Sequence, residues 1–225
     1  MRQASSLRPG LLVMPGWDDD GKRQYDDLKA ELAQDAWLAR RADLPDARWP
    51  AERRDSVTRG DNLQQVLADF DALSAVADPH AIAALGFSYG GYMAALLSAE
   101  RPVHWLILRS PALYPDEHWT SPKAELDKHA LDVYRRQLHG AQDNRALGSC
   151  ARFRGHVLLI ESEHDEVIPR QVIDSYAVAL GQARSLTRHV LRGADHPLSA
   201  QSSRDAYHAL VVDWLVERQA VDMAA

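Results

Sequence analysis

The segment Gly86-Phe87-Ser88-Tyr89-Gly90-Gly91-Tyr92 constrains this chain more than any other. A run of small, β-friendly residues, Ala81-Ile82-Ala83-Ala84-Leu85, leads into it, and the helix formers Met93-Ala94-Ala95-Leu96-Leu97 lead out. Such a string predicts a strand that bends abruptly into a helix, with Ser88 at the bend. The backbone there is strained and the serine hydroxyl is exposed. Gly86 and Gly90 remove side chains that would collide as the helix folds back over the strand. The Tyr89 amide then falls at a helix N-terminus, where donors are unpaired and negative charge is favoured. A bare Gly-x-Ser-x-Gly recurs by chance, and its plain reading is a glycine-rich turn. Strand before and helix after make Ser88 a candidate nucleophile with an oxyanion donor beside it.

Strands and helices alternate along the rest of the chain. Leu11-Leu12-Val13-Met14 reads as a buried strand between two Pro-Gly turns. Tyr25, Leu28 and Leu32 recur at helical spacing. Trp37 to Ala42 is a weaker, edge-like strand, and Leu44 to Val57 reads as loop. Leu63, Val66, Leu67, Phe70 and Leu73 form one apolar stripe, with Asp61 or Asn62 as the expected cap. Further strands are expected at 103–108, 157–160 and 185–191, and helices over 172–180 and through Tyr207, Leu210, Val211, Trp214 and Leu215. Residues 112–150 break the rhythm, with one expected helix around Leu126–Leu138; an excursion of this size between core strands reads as a small cap on one domain spanning 1–225. The pattern predicts an α/β fold, a mostly parallel sheet of about six strands with helices on both faces. Ligands in such sheets bind at the carboxyl ends of the strands.

Bulk properties exclude several function classes. Of 225 residues, 46% are hydrophobic and 26% charged, enough apolar material for one full core. A net charge of −6, with scattered cations, argues against nucleic acid or an anionic membrane as partner. Cys150 is the single cysteine, which rules out an internal disulfide and any cysteine-based metal site. No metal or cofactor is expected. The N-terminal residues lack an apolar leader core, and no run approaches the roughly 18 apolar residues of a membrane span, so the expected location is the cytoplasm.

A serine hydroxyl is a weak nucleophile near neutral pH and needs a base, which in turn needs an orienting acid. On a turn of this kind the chain order is nucleophile, acid, histidine. The loop after the 157–160 strand reads Glu161-Ser162-Glu163-His164-Asp165-Glu166-Val167-Ile168-Pro169, and the loop after the 185–191 strand reads Arg192-Gly193-Ala194-Asp195-His196-Pro197. His196 is favoured as base over His164, which shares its loop with the acids. Asp165 is favoured as acid, for its short side chain and the stiff Val-Ile-Pro that follows; Glu163 is the fallback.

Together these three stretches resemble the α/β-hydrolase superfamily. Gly86–Gly91 looks like its nucleophile elbow, Glu163–Pro169 like its acid loop and Gly193–His196 like its histidine loop. The resemblance implies a Ser88–His196–Asp165 triad in a small, compact member related to dienelactone hydrolases and to prolyl-oligopeptidase-type and serine aminopeptidase catalytic domains. It also implies that the first two family strands are missing, leaving an edge that would suit a monomer or a homodimer. Pro15-Gly16-Trp17 stands where a His-Gly motif is usual, so the second oxyanion donor would be the Trp17 amide. Tyr114, Trp119 and Tyr134 of the cap would line the substrate pocket. The expected activity is hydrolysis of a small-molecule ester or thioester through an acyl-enzyme. The alternatives are an aminopeptidase or amidase, with Asp18, Asp19 and Asp20 as an amine clamp, and a silent binding or regulatory protein.

Overall fold

The computed structural model describes residues 7–17 and 22–224. Six strands form one sheet in the order β2-β1-β3-β4-β5-β6: β1 (Gly10–Met14), β2 (Leu38–Arg41), β3 (Ile82–Phe87), β4 (Trp105–Arg109), β5 (His156–His164) and β6 (Ser185–Asp195). Every neighbouring pair is parallel. Successive residues on a strand point to opposite faces, so a continuous apolar run buries both. Leu12, Met14, Ala84, Leu106, Leu108, Val157 and Leu159 pack on one side, against helices α3 (Arg59–Ser74), α4 (Tyr89–Glu100), α6 (Arg145–Arg152) and α7 (Arg170–Ala179). Leu11, Val13, Leu85, Ile107, Leu158 and Ile160 pack on the other, against α1 (Lys22–Leu32) and α8 (Gln201–Ala224).

Several boundaries differ from the sequence expectation for identifiable reasons. The stretch read as loop contains α2 (Ala51–Ser56), none of whose residues is buried, so it carries no apolar stripe to detect. The cap of α3 is Thr58, not Asp61 or Asn62. The Thr58 hydroxyl accepts from the Asp61 amide, and the Asp61 carboxylate accepts in return from the Thr58 amide, a reciprocal capping box. Asn62 is buried and donates to the Tyr89 hydroxyl at 2.6 Å. Strands β5 and β6 run past their apolar stretches to His164 and Asp195, pairing with each other across an irregularity between Ser162 and His164. Apolar runs mark only the part of a strand that helices cover.

The 112–150 segment has two kinds of structure. α5 (Lys128–Arg135) is amphipathic and largely exposed, whereas α6 packs against α4 with Ala146, Leu147 and Cys150 fully buried. Asn144 caps α6 by accepting from the Ala146 and Leu147 amides. From β1 the chain steps outward to β2 and then returns to β3 on the other side of β1. The crevice where strand order reverses therefore lies at the carboxyl ends of β1 and β3, where ligands of open α/β sheets bind.

Candidate active site

Ser88 links β3 to α4 with φ 53° and ψ −119°, a left-handed conformation that is costly for a residue with a side chain. Packing enforces it. A Cβ on Gly86 would lie 2.2 Å from the Gly90 carbonyl oxygen, and one on Gly90 would lie 2.0 Å from that of Met14. Serine at a helix start commonly caps it with its hydroxyl, but Ser88 makes no side-chain cap bond. Its main chain is held instead: the Ser88 amide donates to the Arg109 carbonyl (3.0 Å), and its carbonyl accepts from Tyr92 (3.2 Å) and Ala112 (2.9 Å). The Ser88 Oγ is left for a different partner, His196 Nε2, at 3.1 Å.

His196 follows the end of β6, and its Nδ1 is 2.8 Å from Asp165 Oδ2. Asp165 follows β5. Its other oxygen accepts from the Val167 and Ile168 amides at 2.9 and 2.8 Å, which turns the loop back on the carboxylate. Burial alone would raise the Asp165 carboxyl; the hydrogen bond and charge of His196, the Ile168 amide and the Ser110 hydroxyl outweigh it and hold the group below its ordinary range. Three side chains from three loops, far apart in sequence, thus form one hydrogen-bonded series. The imidazole and carboxylate are 15% and 7% exposed, enclosed enough for their electrostatics to escape much of the solvent screening.

The other sequence candidates fall elsewhere. His164 stands exposed at the end of β5, beside Glu163. Glu163 reaches the histidine loop, where its carboxylate accepts from Arg192 (2.6 Å) and the Gly193 amide (2.8 Å). Gly193 turns there with φ 67°. Glu163 therefore braces the chain leading to His196. The Pro15–Trp17 loop borders the elbow, since a Cβ on Gly16 would be 3.6 Å from that of Ser88. The Trp17 ring packs edge-on to Tyr89 (5.1 Å between centroids), and the Lys123 ammonium lies 3.9 Å from the Trp17 ring centre. Asp18, Asp19 and Asp20 lie outside the described residues.

Tyr114, Trp119 and Tyr134 stand in different surroundings. Tyr114 is buried behind the elbow, edge-on to Tyr89 and Tyr92 and 4.8 Å from the Arg135 guanidinium. Tyr134 stacks on His139 at 3.9 Å and accepts from Asn144. Trp119 lines a cavity of about 370 Å³ with residues of α3, α4 and α6, whose walls include none of Ser88, Asp165 or His196. Arg109 and Ser110, at the end of β4, also reach this site and carry no motif. Arg109 is buried at the end of β4 and donates to the His196 carbonyl at 2.8 Å. Ser110 is buried with φ 39° and touches the Asp165 carboxylate. The only sequence sign was a charged residue closing an apolar strand.

A parallel sheet with a strained serine at the strand-order reversal defines an α/β hydrolase. Within that class, the prolyl oligopeptidase family model matches residues 58–220, and the chain belongs to that family. By family it is a serine hydrolase. No curated relative matches the chain. Similar solved structures include Est1E from Butyrivibrio proteoclasticus with ferulic acid bound (TM-score 0.72, 19% identity, covering 94% of this chain and 90% of that one). A structure of the metagenome-derived lipolytic enzymes LipS and LipT is similar as well (TM-score 0.71, 15% identity, 94% of each chain). So is a puromycin-hydrolysing peptidase of Mycobacterium tuberculosis (TM-score 0.71, 13% identity), of which 96% of this chain covers 35%. At these identities the likeness is one of fold. Among the described residues no helix is long and apolar enough to cross a membrane.

Proposed function

We propose that this protein hydrolyses a carboxylic ester or thioester of a small molecule through an acyl-enzyme on Ser88. The observation that carries the reading is the series Ser88 Oγ, His196 Nε2, His196 Nδ1 and Asp165 Oδ2, with contacts of 3.1 and 2.8 Å. In the neutral tautomer with its proton on Nδ1, His196 donates to Asp165 and its Nε2 is free to accept the Ser88 proton. Ser88 Oγ attacks the substrate carbonyl, the proton passes to Nε2, and Asp165 stabilises the imidazolium. His196 then protonates the departing alcohol or thiol. In the second half, water gives its proton to His196, attacks the acyl carbon, and Ser88 regains its proton. The Tyr89 amide, an unpaired donor in the first turn of α4, and the Trp17 amide receive the oxyanion.

The ester reading draws on coverage: the chain spans 94% of the lipolytic enzyme and 90% of Est1E, but 35% of the peptidase. Family membership favours a second reading, an aminopeptidase or amidase using Asp18, Asp19 and Asp20 to hold a substrate amine. Parallel assays with p-nitrophenyl esters and aminoacyl anilides separate the two by relative kcat/KM. The triad itself is tested with a fluorophosphonate probe: wild type is labelled, and Ser88→Ala is not. Equal labelling of both proteins would sink the assignment, and an unlabelled wild type with no ester turnover would favour a silent binding protein.

A further inference from the structure

The side chains proposed for catalysis come from loops after β3, β5 and β6, and the strand lying between β3 and β5 is β4. Its last residue touches two of those loops. The Arg109 carbonyl accepts the Ser88 amide at 3.0 Å, and the Arg109 guanidinium donates to the His196 carbonyl at 2.8 Å. The side chain is 2% exposed and spans the Phe87 and Tyr207 rings, 5.1 and 5.6 Å from their centres. Ser110, next in the chain, donates its amide to Ile160 and contacts Asp165.

We infer that Arg109 is a positioning residue for the reaction, a buried cationic clamp that sets the distance between the imidazole of His196 and the hydroxyl of Ser88. The inference rests on the acyl-enzyme reading above. A buried guanidinium is expensive to desolvate, and leucine or methionine would close an apolar strand end more cheaply. Among the contacts of the arginine is one that an aliphatic side chain cannot make, a bond to the main chain of the histidine loop. Because the acceptor is the carbonyl of His196 itself, a shift there moves the imidazole directly. Glu163 braces the same loop from the other side, at Gly193. The loop is thus gripped at two points, Gly193 and His196, and the elbow is fixed to one of the grips. Near-attack geometry tolerates little error, a misplacement of about 1 Å costing on the order of a hundredfold in rate.

The test compares wild type with Arg109→Met, which keeps the aliphatic stem, and Arg109→Lys, which keeps a donor. Expected for the methionine variant is a roughly ten- to hundredfold fall in kcat and in the fluorophosphonate labelling rate, with KM within about twofold of wild type. Hydrogen exchange over residues 192–199 should accelerate while the peptides of β1, β3 and β4 stay protected. The lysine variant should recover part of kcat. Wild-type kcat in folded Arg109→Met overturns the inference, as does a kcat loss in which loop exchange is unchanged or rises uniformly with the sheet. If Arg109→Met fails to fold, Arg109→Lys is judged by the coupling of the two readouts: kcat and loop exchange both changed, or both as in wild type, supports the clamp, and a change in either without the other overturns it. If wild type shows no labelling at Ser88, the acyl-enzyme reading fails, and loop exchange still decides whether the clamp exists.

Discussion

Replacing Gly90 by alanine should cost the elbow both its packing and its chemistry. The new Cβ would sit 2.0 Å from the Met14 carbonyl oxygen and 2.5 Å from both the Met14 carbonyl carbon and the Pro15 oxygen. All three are backbone atoms, so no rotamer change relieves the clash. Helix α4 and the end of β1 must separate by about 1.4 Å to reach an ordinary contact of 3.4 Å. Overpacking of a tight interior costs about 1–3 kcal/mol, and an all-backbone clash belongs at the upper end. For a chain of this size about 3 kcal/mol lowers Tm by roughly 6–12 °C. The same movement separates Ser88 from the Pro15–Trp17 loop by more than 1 Å, enough to lower kcat by about a hundredfold. Differential scanning fluorimetry and p-nitrophenyl acetate turnover read the two effects. Gly181→Ala is the control, since its Cβ meets nothing within 4 Å, and it should stay within about 0.5 kcal/mol of wild type. A Gly90→Ala protein with Tm within about 2 °C and kcat within about threefold of wild type would refute the steric account.

The Asp165 carboxyl is held below the ordinary aspartate range in the folded protein, so over the acidic range it binds fewer protons than in the unfolded chain. Its stabilisation is therefore fully present above the unfolded value and is lost as pH falls through the lower folded value. The Tm difference between wild type and Asp165→Asn should be constant above about pH 5 and shrink below about pH 4; a difference that grew on acidification would contradict the assignment. Thr58→Ala removes the acceptor for the Asp61 amide and should cost about 1 kcal/mol, lowering Tm by about 2–4 °C with kcat unchanged. An unchanged melt would mean that the capping box contributes nothing.

The fold was legible because a parallel sheet covered on both faces requires long uninterrupted apolar runs, and β1, β3, β4 and β5 each carry one. The elbow was legible for a related reason: the approach of α4 to β1 leaves no room for a Cβ, so glycine is required at 86 and 90 whatever surrounds it. Asp165 and His196 were legible by position, each lying just beyond a strand that the pattern marked. Elements without such signatures leave no trace in the pattern. α2 buries nothing, and α6 is a short amphipathic piece inside a polar segment whose role as a core helix depends on α4 lying beside it.

What the sequence by itself determined is the order of elements and the identity of the residues that must be small, apolar or chemically active, because these demands act locally or repeat with a period. Tertiary structure alone decided which groups meet. Arg109 carries no periodic or motif signal, yet it joins the elbow to a loop 87 positions away. Glu163 stood among four acids and became a brace for the His196 loop because of the path β6 takes beside β5. Tyr114 and Trp119 look alike as aromatics in a polar segment, and packing places Tyr114 in the core and Trp119 in the wall of a cavity away from Ser88. Contacts between distant segments depend on strand order, twist and loop path, which are properties of the assembled chain rather than of any stretch within it.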